Sequence, residues 1–197
     1  MVLQAQRGTA VPVTTSKIPL YAGLILVELT LSWFVIIGIR ARGYKITDIA
    51  GTRLGGISTV AVDLVLAGSA VLFLRWLGPV LFQLLGRWTL NTGFLLPATT
   101  SESVLWVAVS AAAGICEEFV FRGYLQRQLW SLLRSLPVAL FCQAIIFGAG
   151  HVYQGWKPAL ITAIYGLIFG LLFAWRRSIV SGALAHVIVD VLGGLRF

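Results

Sequence analysis

Charge is scarce in this chain. Asp, Glu, Lys and Arg make up 11% of its 197 residues, against about 25% in an average soluble domain. An ordinary water-exposed surface is thereby excluded. Histidine and cysteine are rarer still, with two of each. Cys116 and Cys142 lie inside apolar runs, so no disulfide framework is expected. Glycine-rich phosphate loops are absent, as is a His-Glu-x-x-His stretch, and no Ser or Cys nucleophile with an adjacent base is evident. The first 18 residues are polar and lack the apolar core of a cleavable signal peptide, so the first span is expected to serve as its own insertion signal.

What is abundant is apolar. Hydrophobic residues account for 58% of the chain, and the mean hydropathy is +0.92. Disorder, which needs low hydrophobicity, is excluded with solubility. A polytopic membrane protein remains. Crossing a hydrocarbon core of about 30 Å takes about 20 helical residues. The net charge is +8, from 15 Lys and Arg against 7 Asp and Glu. Most basic residues lie between or beside apolar runs, which reads as topology signal and lipid headgroup contact, with no nucleic-acid partner.

The hydropathy pattern predicts an all-α membrane bundle of about six transmembrane helices plus one interfacial helix. Residues 1–18 are expected as a flexible tail and 19–197 as a single transmembrane domain. The spans are expected at about 19–39, 57–77, 102–130, 136–150, 158–175 and 179–195. Residues 79–90 are apolar but short and are assigned to the interfacial helix, with 91–101 as a loop. Ser101 is the expected N-cap of the third long helix. The basic loops after spans one, three and five place that side in the cytoplasm by the positive-inside rule. Tryptophans such as Trp76, Trp88, Trp130, Trp156 and Trp175 read as an interfacial belt.

Charged groups inside hydrocarbon cost about 2.5–3.5 kcal/mol each on insertion scales and are functional-site hypotheses by default. The later spans carry Glu117, Glu118, Arg122, His151, His186 and Asp190, including both histidines of the chain. Glu118 and Arg122, at i and i+4, should pair on one helix face. Glu117 has no charged partner at helical spacing and needs a metal, a histidine or water. His186 and Asp190 share a face, which suits two ligands of one ion, a carboxylate orienting an imidazole, or a pair that only packs helices. Counting about 1.5 Å per residue from the common membrane side puts Glu117, His151, His186 and Asp190 about 12–24 Å deep on three helices. A buried cluster of this kind can activate water or bind a metal. Glu28, in the first span, either lines the same cavity or hydrogen-bonds a neighbouring helix. Asp63 is expected near an interface and solvated. Gly166 and Gly170 form a GxxxG that suits close helix packing.

Glu117-Glu118-Phe-Val-Phe-Arg122 resembles the EExxxR motif of the CPBP family, the CaaX proteases and bacteriocin-processing enzymes. Phe147-Gly-Ala-Gly-His151 resembles its FxxxH motif, and His186-Val-Ile-Val-Asp190 its closing HxxxN/D motif, in the family's order. The resemblance covers about residues 102–192. It implies an intramembrane endopeptidase in which Glu117 and His151 activate water. His186 and Asp190 would complete the site, as oxyanion contacts or, with Glu117 and His151, as ligands of a divalent metal, zinc foremost. A metal-free glutamate mechanism stays open beside it. Glu118 and Arg122 would hold the first motif in shape. Asp190 stands where the family often has Asn, and an ionised Asp suits a cation better than an oxyanion. The resemblance implies a peptide or membrane-protein substrate, such as a prenylated CaaX protein or a bacteriocin-like peptide, and a prokaryotic plasma membrane as the setting. A non-catalytic peptide-binding or self-immunity protein of the same fold is the alternative. A transporter is disfavoured because no repeats or broken helices in two halves are visible.

Overall fold

A computed structural model describes residues 16–51, 56–86 and 93–195. The expected tail falls almost entirely outside these residues, as do Trp88 and the first two residues of the loop expected at 91–101. Among the described residues every regular element is helical: α1 (Ile18–Ala41), α2 (Ile46–Ala50), α3 (Ile57–Leu84), α4 (Thr100–Glu117), a π-helical segment (Glu118–Leu125), α5 (Gln126–Leu133), α6 (Leu136–Ala149), a 3₁₀ turn (Val152–Gln154), α7 (Trp156–Arg176) and α8 (Val180–Gly194).

The bundle is the all-α membrane architecture that the hydropathy predicts. Among the described residues four helices are long and apolar enough to cross a membrane: α1, α3, α7 and the continuous rod Thr100–Leu133 formed by α4, the π segment and α5. Helices α6 and α8 are apolar but shorter, at 14 and 15 residues. At about 1.5 Å per residue each falls short of a hydrocarbon core of about 30 Å. The rod packs between α1 and α8, α8 also packs on α3, and α6 packs on α7. Outer faces carry exposed Leu26, Phe34, Leu64, Leu72 and Leu171, as lipid-facing surfaces do.

Two sequence expectations need correction here. Residues 79–84 do not begin an interfacial helix; α3 runs through Pro79 to Leu84. In an apolar medium backbone groups have no water to turn to, so a continuous helix with one lost bond is cheaper than a broken one. Tyr165 supports the region, its hydroxyl donating to Leu74 O at 3.0 Å. The N-cap of the rod is Thr99, not Ser101. Thr99 Oγ1 accepts from Glu102 N at 3.2 Å. The Glu102 carboxylate in turn accepts from Ala98 N at 2.8 Å and Lys17 N at 2.9 Å. That carboxylate ties the start of α1 to the start of the rod, a tertiary bond that overrides the local preference.

Asp63 is a third correction. It is buried, not solvated, and its Oδ1 accepts from Arg176 Nε at 3.1 Å, Arg176 Nη2 at 2.9 Å and Ser181 Oγ at 2.6 Å. This knot joins α3, α7 and α8. Close backbone approach elsewhere depends on small residues. A Cβ on Gly114 would sit 2.6 Å from Val187 Cγ2 and 2.8 Å from Val187 N, so glycine lets α4 lie against α8. Gly51 has φ +64, and a Cβ there would lie 1.8 Å from Arg177 O. Ile179 N can then donate to Ala50 O at 3.0 Å, seating α8 on the turn after α2. Gly166 and Gly170 serve packing inside the bundle, as their spacing suggests. A Cβ on Gly166 would meet Phe147 and Arg122, and one on Gly170 would meet Gln143 and Gln126.

Candidate active site

The first motif sits where the rod changes from α to π winding, with Glu117 the last α residue and Glu118 the first π residue. Insertions of this kind occur often at functional sites. The two adjacent carboxylates serve different neighbours. Glu118 and Arg122 are 1% and 0% exposed, and their ion pair measures 2.7 Å. The Arg122 guanidinium also lies 4.1 Å from the centre of the Phe147 ring and donates from Nη2 to Gly166 O at 3.3 Å. The expected Glu118–Arg122 pair thus links the rod to α6 and α7.

His186 joins this pair to Glu117. Its Nδ1 lies 3.1 Å from Glu118 Oε1. Its Nε2 faces Glu117 Oε2 at 3.7 Å and Asp190 Oδ2 at 3.6 Å. The ring stacks on Phe169 with centroids 5.3 Å apart. A carboxylate only accepts hydrogen bonds, so His186 donates from Nδ1 to Glu118, and Nε2 faces the two remaining carboxyls. Glu117 Oε2 is buried and has no hydrogen-bond partner.

His151 follows the end of α6. Its Nδ1 lies 2.9 Å from Phe147 O. A carbonyl can only accept, so Nδ1 carries the hydrogen and Nε2 is the basic nitrogen of the neutral ring. A cavity of about 380 Å³ brings the set together, its wall including Glu28, Glu117, His151, Tyr153, His186 and Asp190. An adjoining cavity of about 410 Å³ shares Glu28, Glu117 and His151 and is otherwise mainly apolar, with Leu20, Leu24, Phe94 and Phe121 among its walls. A larger cavity of about 710 Å³ lies at the opposite end of the bundle, lined by Arg127, Arg177 and Trp130, with no motif residue.

All four residues singled out for catalysis, Glu117, His151, His186 and Asp190, therefore line one cavity, with Glu118 and Arg122 behind them. Glu28 is the residue whose place the sequence leaves open. It lines both cavities that Glu117 and His151 line. Tyr153, stacked beside His151 at 6.2 Å, carries no motif signal and was not expected at the site. Among the described residues no group of three or more His, Cys, Asp or Glu side chains is disposed to hold a metal ion.

The site is thus a cavity lined by carboxyls and two imidazoles inside an apolar helical bundle. A family model, Rce1-like: Type II CAAX prenyl endopeptidase Rce1-like, matches residues 98–192. That segment holds all three motifs and matches the CaaX-protease family that the motifs resemble. The match covers 95 of the 197 residues and likens this segment to prenyl endopeptidases, and four of the described helices are long and apolar enough to cross a membrane. No curated protein and no solved structure matches the chain.

Proposed function

We propose that the chain is an intramembrane endopeptidase in which Glu117 activates water without a metal. The observation that carries this reading is Glu117 Oε2: buried, unpartnered and 3.7 Å from His186 Nε2, on the wall of a cavity that His151 shares. An open carboxylate acceptor on a cavity wall can take a proton from water and create the nucleophile. The neutral His151 is a second acceptor, through Nε2, and can relay the proton to the leaving amine.

His186 suits the other half of the reaction. Between Glu118 and the carboxyls of Glu117 and Asp190 it is fixed as a hydrogen-bond donor. Such a preorganised donor stabilises the negative oxygen of a tetrahedral intermediate. Asp190, whose side chain is 34% exposed, stands at the open side of the cluster, where it steadies the imidazole. Glu118 and Arg122 hold His186 and the π segment in register. The apolar walls of the adjoining cavity suit a prenyl chain or a hydrophobic peptide segment, and we propose a prenylated CaaX sequence as the substrate class. The setting we propose is a prokaryotic plasma membrane.

The test uses the purified full chain in lipid nanodiscs with a farnesylated CaaX peptide, read by mass spectrometry, with zinc content measured on the same preparation. Hydrolysis by wild type, its loss in Glu117→Gln, and zinc well below one per chain are expected. Stoichiometric zinc that His151→Ala or His186→Ala abolishes contradicts the metal-free mechanism.

A further inference from the structure

The cavity of about 710 Å³ at the far end of the bundle takes no part in the motif cluster. Helices α2, α5, α6 and α7 all contribute to its wall, and two arginines line it together, Arg127 from α5 and Arg177 from the end of α7. Arg127 is fixed in place. Its Nη1 donates to Asp48 O at 2.8 Å, and its guanidinium carbon lies 5.2 Å from the centre of the Phe173 ring. Arg177 closes α7 in the left-handed region, with φ +54. Glycine or asparagine usually takes that place, so the turn itself does not call for an arginine. The carboxylate on the same wall, Asp48, is engaged elsewhere: its Oδ2 accepts from Lys45 N at 2.9 Å. Among the described residues neither arginine is ion-paired. Gln126 stiffens the wall, buried and donating from Nε2 to Gly170 O at 3.1 Å.

The rest of the wall is apolar, with Trp130, Leu136, Phe173 and Ala174. The rod ends at Leu133 and α7 at Arg176, so the cavity lies where the apolar spans stop. Trp130 is exposed, as are Leu132, Leu133 and Trp175 on the same ends of these helices. Indoles at such a level mark the headgroup region of a bilayer. Two guanidiniums on one cavity wall repel unless an anion lies between them. Their planar forks match phosphate oxygens, and basic pockets between membrane helices take lipid headgroups.

We propose that this cavity binds the phosphate of an anionic phospholipid between Arg127 and Arg177, with the acyl chains along the apolar surface beside Trp130. A free phosphate shares the headgroup chemistry; the apolar half of the wall and the lipid-facing helix ends beside it favour the lipid.

Native mass spectrometry of the purified full chain, in micelles titrated with phosphatidylglycerol or phosphatidylcholine, tests the assignment. Wild type should retain one phosphatidylglycerol in preference to phosphatidylcholine, and millimolar inorganic phosphate should not displace it. Arg177→Asn suits the left-handed backbone and should weaken retention by about fivefold, the contribution of one basic residue at a membrane surface. Arg134→Asn is the control. Arg134 lies at the same end, also has positive φ (+52) and does not line the cavity, so its loss should change retention less than twofold. Arg127→Lys keeps the charge, gives up the planar fork, and should weaken retention as well; it decides the matter if Arg177→Asn does not melt like wild type. Equal retention of the two lipids overturns the proposal. So does a loss in Arg134→Asn as large as in the cavity variants, which would make the effect one of general surface charge. Displacement by inorganic phosphate would assign the cavity to a soluble anion and overturn the lipid.

Discussion

Glu117 and Glu118 are adjacent in sequence and differ entirely in circumstance. Glu118 is sealed against Arg122, and Glu117 is open to a cavity. Their substitutions should separate accordingly. Glu117→Gln should leave the helical far-UV spectrum and the melting temperature near wild type while activity falls by about 10²–10⁴-fold, the usual contribution of general-base catalysis. Arg122→Met should do the reverse damage first. It leaves Glu118 buried and uncompensated, and breaking such a pair costs about 3–5 kcal/mol. A melting temperature of Arg122→Met equal to wild type in the same detergent would argue that the pair carries no stability. The i,i+4 spacing makes this pair legible in the sequence. The place of Glu28 is not legible, because it stands 89 positions before Glu117 and only the packing of α1 on the rod brings the two to one cavity.

The helical elements were mostly readable, because apolar runs of about 20 residues admit few other structures in a membrane. Their details were not. Pro79 looked like a boundary, yet α3 passes through it. Ser101 looked like the cap, yet Thr99 caps, because Glu102 is drawn to Lys17 N and Ala98 N. The π segment leaves no local mark either. The same scale yields a prediction at Gly114. An alanine there meets the Val187 backbone and must push α8 off α4, carrying His186 away from Glu117. A displacement of about 1 Å can cost about 100-fold in rate. Gly114→Ala should therefore keep its helical circular dichroism and lose activity; unchanged turnover would show that α8 does not need this close approach.

In the whole molecule, the start of α1 lies at the same end as the start of the rod, joined through Glu102 and through Tyr21, whose hydroxyl donates to Leu95 O at 2.6 Å. Leu95 and Tyr153 form part of the walls of both candidate cavities, and Phe94 part of one. Among the described residues, the opposite end includes Arg40, Arg42, Lys45, Arg127, Arg134, Arg176 and Arg177, and the cavity end includes Lys17 and Lys157. The positive-inside rule predicts that the basic end is cytoplasmic. In a background without Cys116 and Cys142, a membrane-impermeant maleimide added to intact cells should label Ser16→Cys and not Arg42→Cys. The opposite labelling would invert the orientation and place the catalytic mouth in the cytoplasm.

The central claim is that this cluster cuts peptide bonds. The most direct measurement compares protein N- and C-termini by mass spectrometry in host membranes carrying wild type or Glu117→Gln at equal expression. New termini present only with wild type are expected, and their sequences would name the substrate and the cleavage site. Identical terminal profiles from two equally folded proteins would contradict proteolysis and leave a membrane protein that binds its peptide without cutting it.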